Sequence, residues 1–139
     1  MASTRTTPSK LIADLPFWVA ATVERNESFR FEALTLLEQG KAKLAEIEAK
    51  PPADSSSVAV AVLHPMHLAV KALLSAKGYR AYSTRATLDL LRLLYAGDLP
   101  ESRLQAFIGV QGLTIQGAKS IEAAKALLDF TAQLLSKAG

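Results

Sequence analysis

The stretch SSVAVAVLHPMHLAVKALLSAKG, from Ser56 to Gly78, limits the fold more than any other part of the chain. Val58, Val60, Val62, Leu63, Met66, Leu68, Val70, Leu73 and Leu74 leave it almost no polar side. A helix that is apolar nearly all round has to be surrounded by other elements, so this segment reads as the buried spine of a small helical domain. Asp54 or Ser55 offers the N-cap oxygen. Pro65 has no amide to donate, which frees the Ala61 carbonyl and predicts a kink between Ala61 and Pro65. Gly78 marks the stop, because glycine takes the left-handed C-terminal cap without a Cβ clash.

The rest of the chain supplies helices to cover that spine. Met1 to Thr7 is a Ser/Thr-rich tail, and LIADLPFWVAATVE predicts a short turn followed by a helix from Pro16 to Arg25 that carries Trp18. Between Glu27 and Lys50, Phe31, Leu34, Leu37, Leu44 and Ile47 recur at helical spacing, and Pro51 and Pro52 end the run. Ser83 is an N-cap for a third helix bearing Leu88, Leu91 and Leu94, which Gly97 ends. Asp98 and Glu101 form a capping-box pattern ahead of a fourth, with Leu104, Phe107, Ile108, Val110 and Ile115 as its apolar side. Its glycines, Gly109, Gly112 and Gly117, suggest close helix contact. The last helix, Ser120 to Lys137, turns Ile121, Ala124, Leu127, Leu128, Thr131, Leu134 and Leu135 inward. VAVAV is the only strand-like run and its neighbours are helical, so the expected class is all-α: an up-and-down bundle of four to five helices, residues 27–139, behind an N-terminal tail and helical arm, residues 1–26.

At 139 residues, half of them hydrophobic, such a bundle can bury a core without metals or crosslinks. The absence of cysteine excludes disulfides, thiol nucleophiles and cysteine-ligated metal centres. A net charge of +3 is a mild bias toward anionic partners. His64, Pro65, His67 and Lys71 interrupt the most hydrophobic region, so no unbroken run of roughly 18 to 20 apolar residues forms a membrane span. Arg5 and Lys10 before an apolar stretch imitate a signal peptide, but Asp14 and Pro16 lie inside it. The expectation is a cytoplasmic protein with no membrane partner.

Few residues carry chemistry. His64 and His67 share a helix side, but no carboxylate lies within a turn of them, which argues against a metal site. There is no nucleophile elbow and no phosphate-cradling glycine loop, and no cofactor is expected. The best candidate site is the loop of Lys77, Tyr79, Arg80, Tyr82 and Arg85, because guanidinium groups grip phosphate bidentately and tyrosines stack on bases. A solvated interhelical connection is the alternative reading of the same charges.

The string HLAVKALLSAKGYRAYSTRATLDLL, His67 to Leu91, resembles the HEPN superfamily of small helical-bundle proteins. His67, Lys71, Ala72, Leu73, Leu74, Lys77 and Gly78 match its H-x-x-x-K-A-L-L-x-x-K-G-like pattern, and Ser83 with Thr84 stands where a Ser-His pair is usual. The resemblance implies a homodimer that partners a nucleotidyltransferase or binds nucleotide or RNA, with His67, Lys71, Gln111 and Gln116 as secondary site candidates. Ribonucleases of the family use Arg-x4-6-His near the fourth helix. Here Gln111 and Gln116 hold the nearest positions and no such motif exists, so the expectation leans away from an enzyme. The alternatives are a metal-independent, toxin-type ribonuclease with another site, or a small basic subunit of a nucleoprotein complex.

Overall fold

Asp54 opens the spine helix as its spacing predicts. Its carboxylate accepts from the Ser57 amide at 3.1 Å and from the hydroxyls of Ser56 and Ser57 at 2.7 and 2.8 Å. Those bonds, Ser56 foremost, hold its pKa below the usual carboxylate range. A computed structural model describes residues 22–138. Among the described residues 76% are helical, in five α-helices and one 3-10 helix, and there is one small two-stranded sheet. The helices are α1 (Ala33–Ala49), α2 (Ser55–Ala76), α3 (Thr84–Leu94), α4 (Glu101–Gln111) and α5 (Gly117–Ala138). The strands are β1 (Val23–Arg25) and β2 (Tyr79–Ala81), and a 3-10 helix, Glu27–Glu32, precedes α1.

The spine is α2. It packs most extensively against α1 and α5 and also touches α3, α4, β2 and the 3-10 helix. Ala59, Val62, Met66, Ala69, Ala72 and Leu73 are wholly buried in it, whereas Val60, expected inside, is exposed. The helix runs unbroken through Pro65. By length and composition, with a mean hydropathy of 1.6, α2 could cross a membrane, although 56% of that stretch is buried among the other helices. A count of unbroken apolar residues misses this because it stops at His64. Gly78, at φ +84°, takes the left-handed turn, with its amide donating to the Ser75 carbonyl at 2.9 Å.

Three sequence expectations are corrected. Val23–Arg25 is not the end of a helix but a strand, antiparallel to β2 with Val23 opposite Ala81, Glu24 opposite Arg80 and Arg25 opposite Tyr79. Amide bonds from Asn26 to Gly78 and from Tyr82 to Thr22, both 2.8 Å, extend the pairing, and strands this short show no alternation in sequence. The remainder of the arm, with Trp18, lies outside the described residues.

The second correction is helical phase. Asn26 caps the 3-10 helix by accepting from the Ser28 amide at 2.9 Å, and that tighter coil rotates what precedes α1. Phe29, Ala33, Leu36, Leu37, Gly40, Leu44 and Ile47 are buried, while Phe31 and Leu34, expected inside, are 88% and 65% exposed. Gly40 sits where helices touch: a Cβ there would come to 2.9 Å from Leu128 Cδ2 and 3.3 Å from the Pro65 carbonyl oxygen.

The third concerns the fourth helix. The capping box does not form, because Glu101 turns to Arg92 at 2.8 Å and Gln105 at 2.9 Å and leaves Pro100 as a cap without a side-chain bond. The helix ends at Gln111, short of Ile115, which folds back so that a Cβ on Gly109 would meet it at 2.7 Å. Gly117, at φ +60°, then starts α5 ahead of Ser120, and Ala124, Leu127, Leu128 and Thr131 face inward as expected.

Candidate functional site

In the basic loop that follows α2, Tyr79 and Arg80 turn toward the protein, whereas Tyr82 and Arg85 are exposed. Tyr79 is 1% exposed, with the Arg25 guanidinium 5.4 Å from its ring centre, so its ring is a core group and not a platform for a base. Burial pushes its hydroxyl pKa up. Arg80 donates to both Glu32 oxygens, at 2.6 and 2.7 Å, and lies over the Phe29 ring at 3.8 Å. The hydrogen bond to Glu32 raises its pKa further. Lys77 stands 5.2 Å from the ring centre of Tyr95. Tyr82 is 62% exposed and donates its hydroxyl to Glu24, and Arg85 Nε reaches Asp89 at 3.1 Å. The same fork geometry that would suit a phosphate is engaged by carboxylates.

A different set of side chains surrounds a cleft. His67, on the outer side of α2, meets the edge of the Phe107 ring from α4 at 5.2 Å with an interplanar angle of 89°. Around them Ala81 and Tyr82, at the end of β2, and Ser83, Thr84 and Thr87, at the start of α3, line a cavity of about 340 Å³. A second hollow of about 140 Å³ shares His67, Ala81 and Thr87 and adds Lys71, one turn along α2, with Val70 and Leu74. Gly78 makes this possible, since its reversal sends the chain through β2 and returns α3 beside α2.

Local bonding shapes the cleft. Ser83 Oγ accepts from the Ala86 amide at 3.1 Å and meets Thr22 Oγ1 at 3.3 Å. Thr87 Oγ1 donates to the Ser83 carbonyl at 2.9 Å. These bonds fix the first turn of α3, which lines the cavity opposite His67. Partial burial, then the neighbouring His64, lowers the His67 pKa, which keeps the imidazole neutral at neutral pH. Lys71, at the neighbouring hollow, supplies one ammonium group for an anion at this surface.

Of the sequence candidates, His67 and Lys71 share this cleft, Tyr82 edges it and Tyr79 and Arg80 are engaged elsewhere. Gln116 donates to the Leu113 carbonyl at 2.7 Å and accepts from Ser55 at 3.2 Å, which ties it to the start of α2, about 18 Å of helix from His67. Gln111 is the last residue of α4 and half-buried. Thr87 and Phe107 were not singled out from sequence as site residues; the Gly78 reversal is a signal for Thr87, on α3, and none in the sequence sets Phe107, on α4, against His67. Among the described residues no three His, Asp or Glu gather as a metal site would require.

No protein-family model matches the chain, and neither the curated proteins nor the solved structures contain a significant match.

Proposed function

We propose that the protein is a binding protein without catalytic activity, and that it holds a phosphate-bearing ligand, a nucleotide or single-stranded RNA, in the cleft between α2 and the start of α3. The observation that carries this reading is the convergence of His67, Ser83, Thr84 and Thr87 on one cavity of about 340 Å³, with Lys71 in the hollow beside it. A volume of that order suits a mononucleotide-sized ligand. The likeness of His67 to Gly78 and of Ser83 to a HEPN pattern supports the same ligand class, and the lack of Arg-x4-6-His supports binding without turnover. Calorimetric titration with a mononucleotide and with a short RNA tests it. Binding should weaken as salt rises and drop about tenfold or more in Lys71→Ala. No heat with either ligand at millimolar concentration would rule the reading out.

One observation favours a second reading. A neutral imidazole beside hydroxyl groups is equipped to accept a proton from a ribose 2′-hydroxyl, which is the first step of metal-independent RNA cleavage. Cleavage of the same RNA by the native protein, absent in His67→Ala, would make the protein a ribonuclease.

A further inference from the structure

The spine helix keeps one side open. Val60, His64, His67 and Lys71 follow one another along α2 at steps of three or four, which places them on a single helical face, and all four are exposed. Val60, 59% exposed, is the large apolar group of that face. A helix as apolar as α2 calls for cover on every side, and among the described residues this side stays uncovered.

The described chain begins at the edge of the same face. The carbonyl of Thr22 accepts from the Tyr82 amide at 2.8 Å and its hydroxyl meets Ser83 Oγ at 3.3 Å, and both Tyr82 and Ser83 line the His67 cavity. The segment before Thr22 therefore sets out from the mouth of the cleft. Residues 11–21, LIADLPFWVAA, lie outside the described residues; their sequence carries Leu11, Ile12, Leu15, Phe17, Trp18 and Val19, with Asp14 as the only charge. The cleft and the hollow beside it present Phe107, Val70 and Leu74 together with Lys71, and among the described residues no carboxylate lines either. An apolar segment with one acidic group thus adjoins an apolar surface with one ammonium group. Length agrees, because eleven residues reach about 16 Å even when wholly coiled as helix, against about 10 Å of helix from His67 to Val60.

We infer that residues 11–21 dock along the open side of α2, with Phe17 and Trp18 over the His67 cleft and Leu11 and Ile12 toward Val60. The chain then covers its own cleft, and a ligand enters only by displacing the segment. The displacement rests on the ligand reading above; the docking does not.

Trp18 is the only tryptophan and the chain has no cysteine, so fluorescence and introduced thiols each report a single contact. In the full chain Trp18 should be protected from acrylamide quenching relative to the urea-unfolded protein. Val60→Glu combined with His64→Glu, both at exposed positions, should abolish that protection and leave the helical circular dichroism of the bundle unchanged. Under mild oxidation Ile12→Cys should form a disulfide within one chain to Val60→Cys. It should not do so to Leu93→Cys, which is 41% exposed and about 15 Å of helix from Ser83 on α3. Trp18 as accessible in the native protein as in urea would overturn the docking. So would protection that survives the double substitution, equal linkage to both cysteines, or linkage only between two chains. A mononucleotide at millimolar concentration should release Trp18 to acrylamide. Ligand bound with Trp18 still protected would overturn the displacement, whereas a protected Trp18 with no heat of binding would leave the docking standing and overturn the ligand reading alone.

Discussion

The hydroxyl of Tyr95 donates to the main-chain carbonyl of Leu73 at 2.5 Å, and both groups are buried. The bond has a specific task. At the end of α2 the amides of Lys77 and Gly78 donate to Leu74 and Ser75, which leaves the Leu73 carbonyl in want of a donor. Tyr95, just past the end of α3, supplies it and joins the two helices that flank the cleft. Tyr95→Phe keeps the ring and strands the carbonyl, so it should destabilise the fold by about 1 to 3 kcal/mol. Urea unfolding measures this, and an unchanged midpoint would show that the carbonyl finds water.

The same hydroxyl gives the protein an alkaline limit. Burial pushes the Tyr95 pKa far above the ordinary value of 10.0. A group whose folded pKa is raised keeps its full stabilising share below the unfolded pKa and loses it as pH rises beyond, because only the unfolded chain then releases the proton. Stability of the native protein should thus fall above pH 10, and more steeply than that of Tyr95→Phe. Thermal melts of both proteins from pH 8 to 11 make the comparison, and parallel curves would assign the loss to other groups.

Close helix contact yields a third prediction. Gly40 faces Leu128 Cδ2 and the Pro65 carbonyl at distances too short for a methyl group to enter unopposed. Alanine at a helix interior normally gains up to about 1 kcal/mol over glycine. Here the backbone oxygen cannot step aside, and Gly40→Ala should destabilise by about 1 to 3 kcal/mol instead. A raised melting temperature would mean that α1 has room to shift outward.

Much of the frame was legible in the residues. Asp54 and Ser83 announced two helix starts because a short acceptor beside unpaired amides has one favourable use, and Gly78 announced the reversal because no other residue turns left so cheaply. Phe31 and Leu34 misled for different reasons: Phe31 lies in the 3-10 helix, whose tighter coil breaks the α phase, and Leu34, in α1, stands about 60° around the helix from Leu37, off the side that Ala33, Leu37, Gly40 and Leu44 bury. Tyr79 and Arg80 misled for another reason. Their chemistry fits a ligand and fits a neighbouring carboxylate or core equally well, and only the pairing of β1 with β2, too short to show in sequence, brings Arg25 to Tyr79 and seats Arg80 between Glu32 and Phe29. The cleft is the converse case, since its residues lie on three helices and one strand end that the sequence does not align.

Arg80 and Lys71 separate the two anion sites that the chain offers. Arg80 stacks on Phe29 and bridges to Glu32, with its side chain 25% and that of Glu32 42% exposed, so water screens the pair and its ionic share is small. Lost packing and cation-π contact should make Arg80→Ala cost about 1 to 2 kcal/mol of stability. Because the guanidinium is engaged within the protein, ligand affinity measured below the melting range should be unchanged in that variant. Lys71 is exposed at the hollow beside His67, and Lys71→Ala should do the reverse: little change in stability and a clear loss of affinity for a phosphate-bearing ligand. Paired melting and titration data on the two variants decide the matter. Affinity lost with Arg80 and retained without Lys71 would return the site to the loop after Gly78 and require Arg80 to leave Glu32 when ligand arrives.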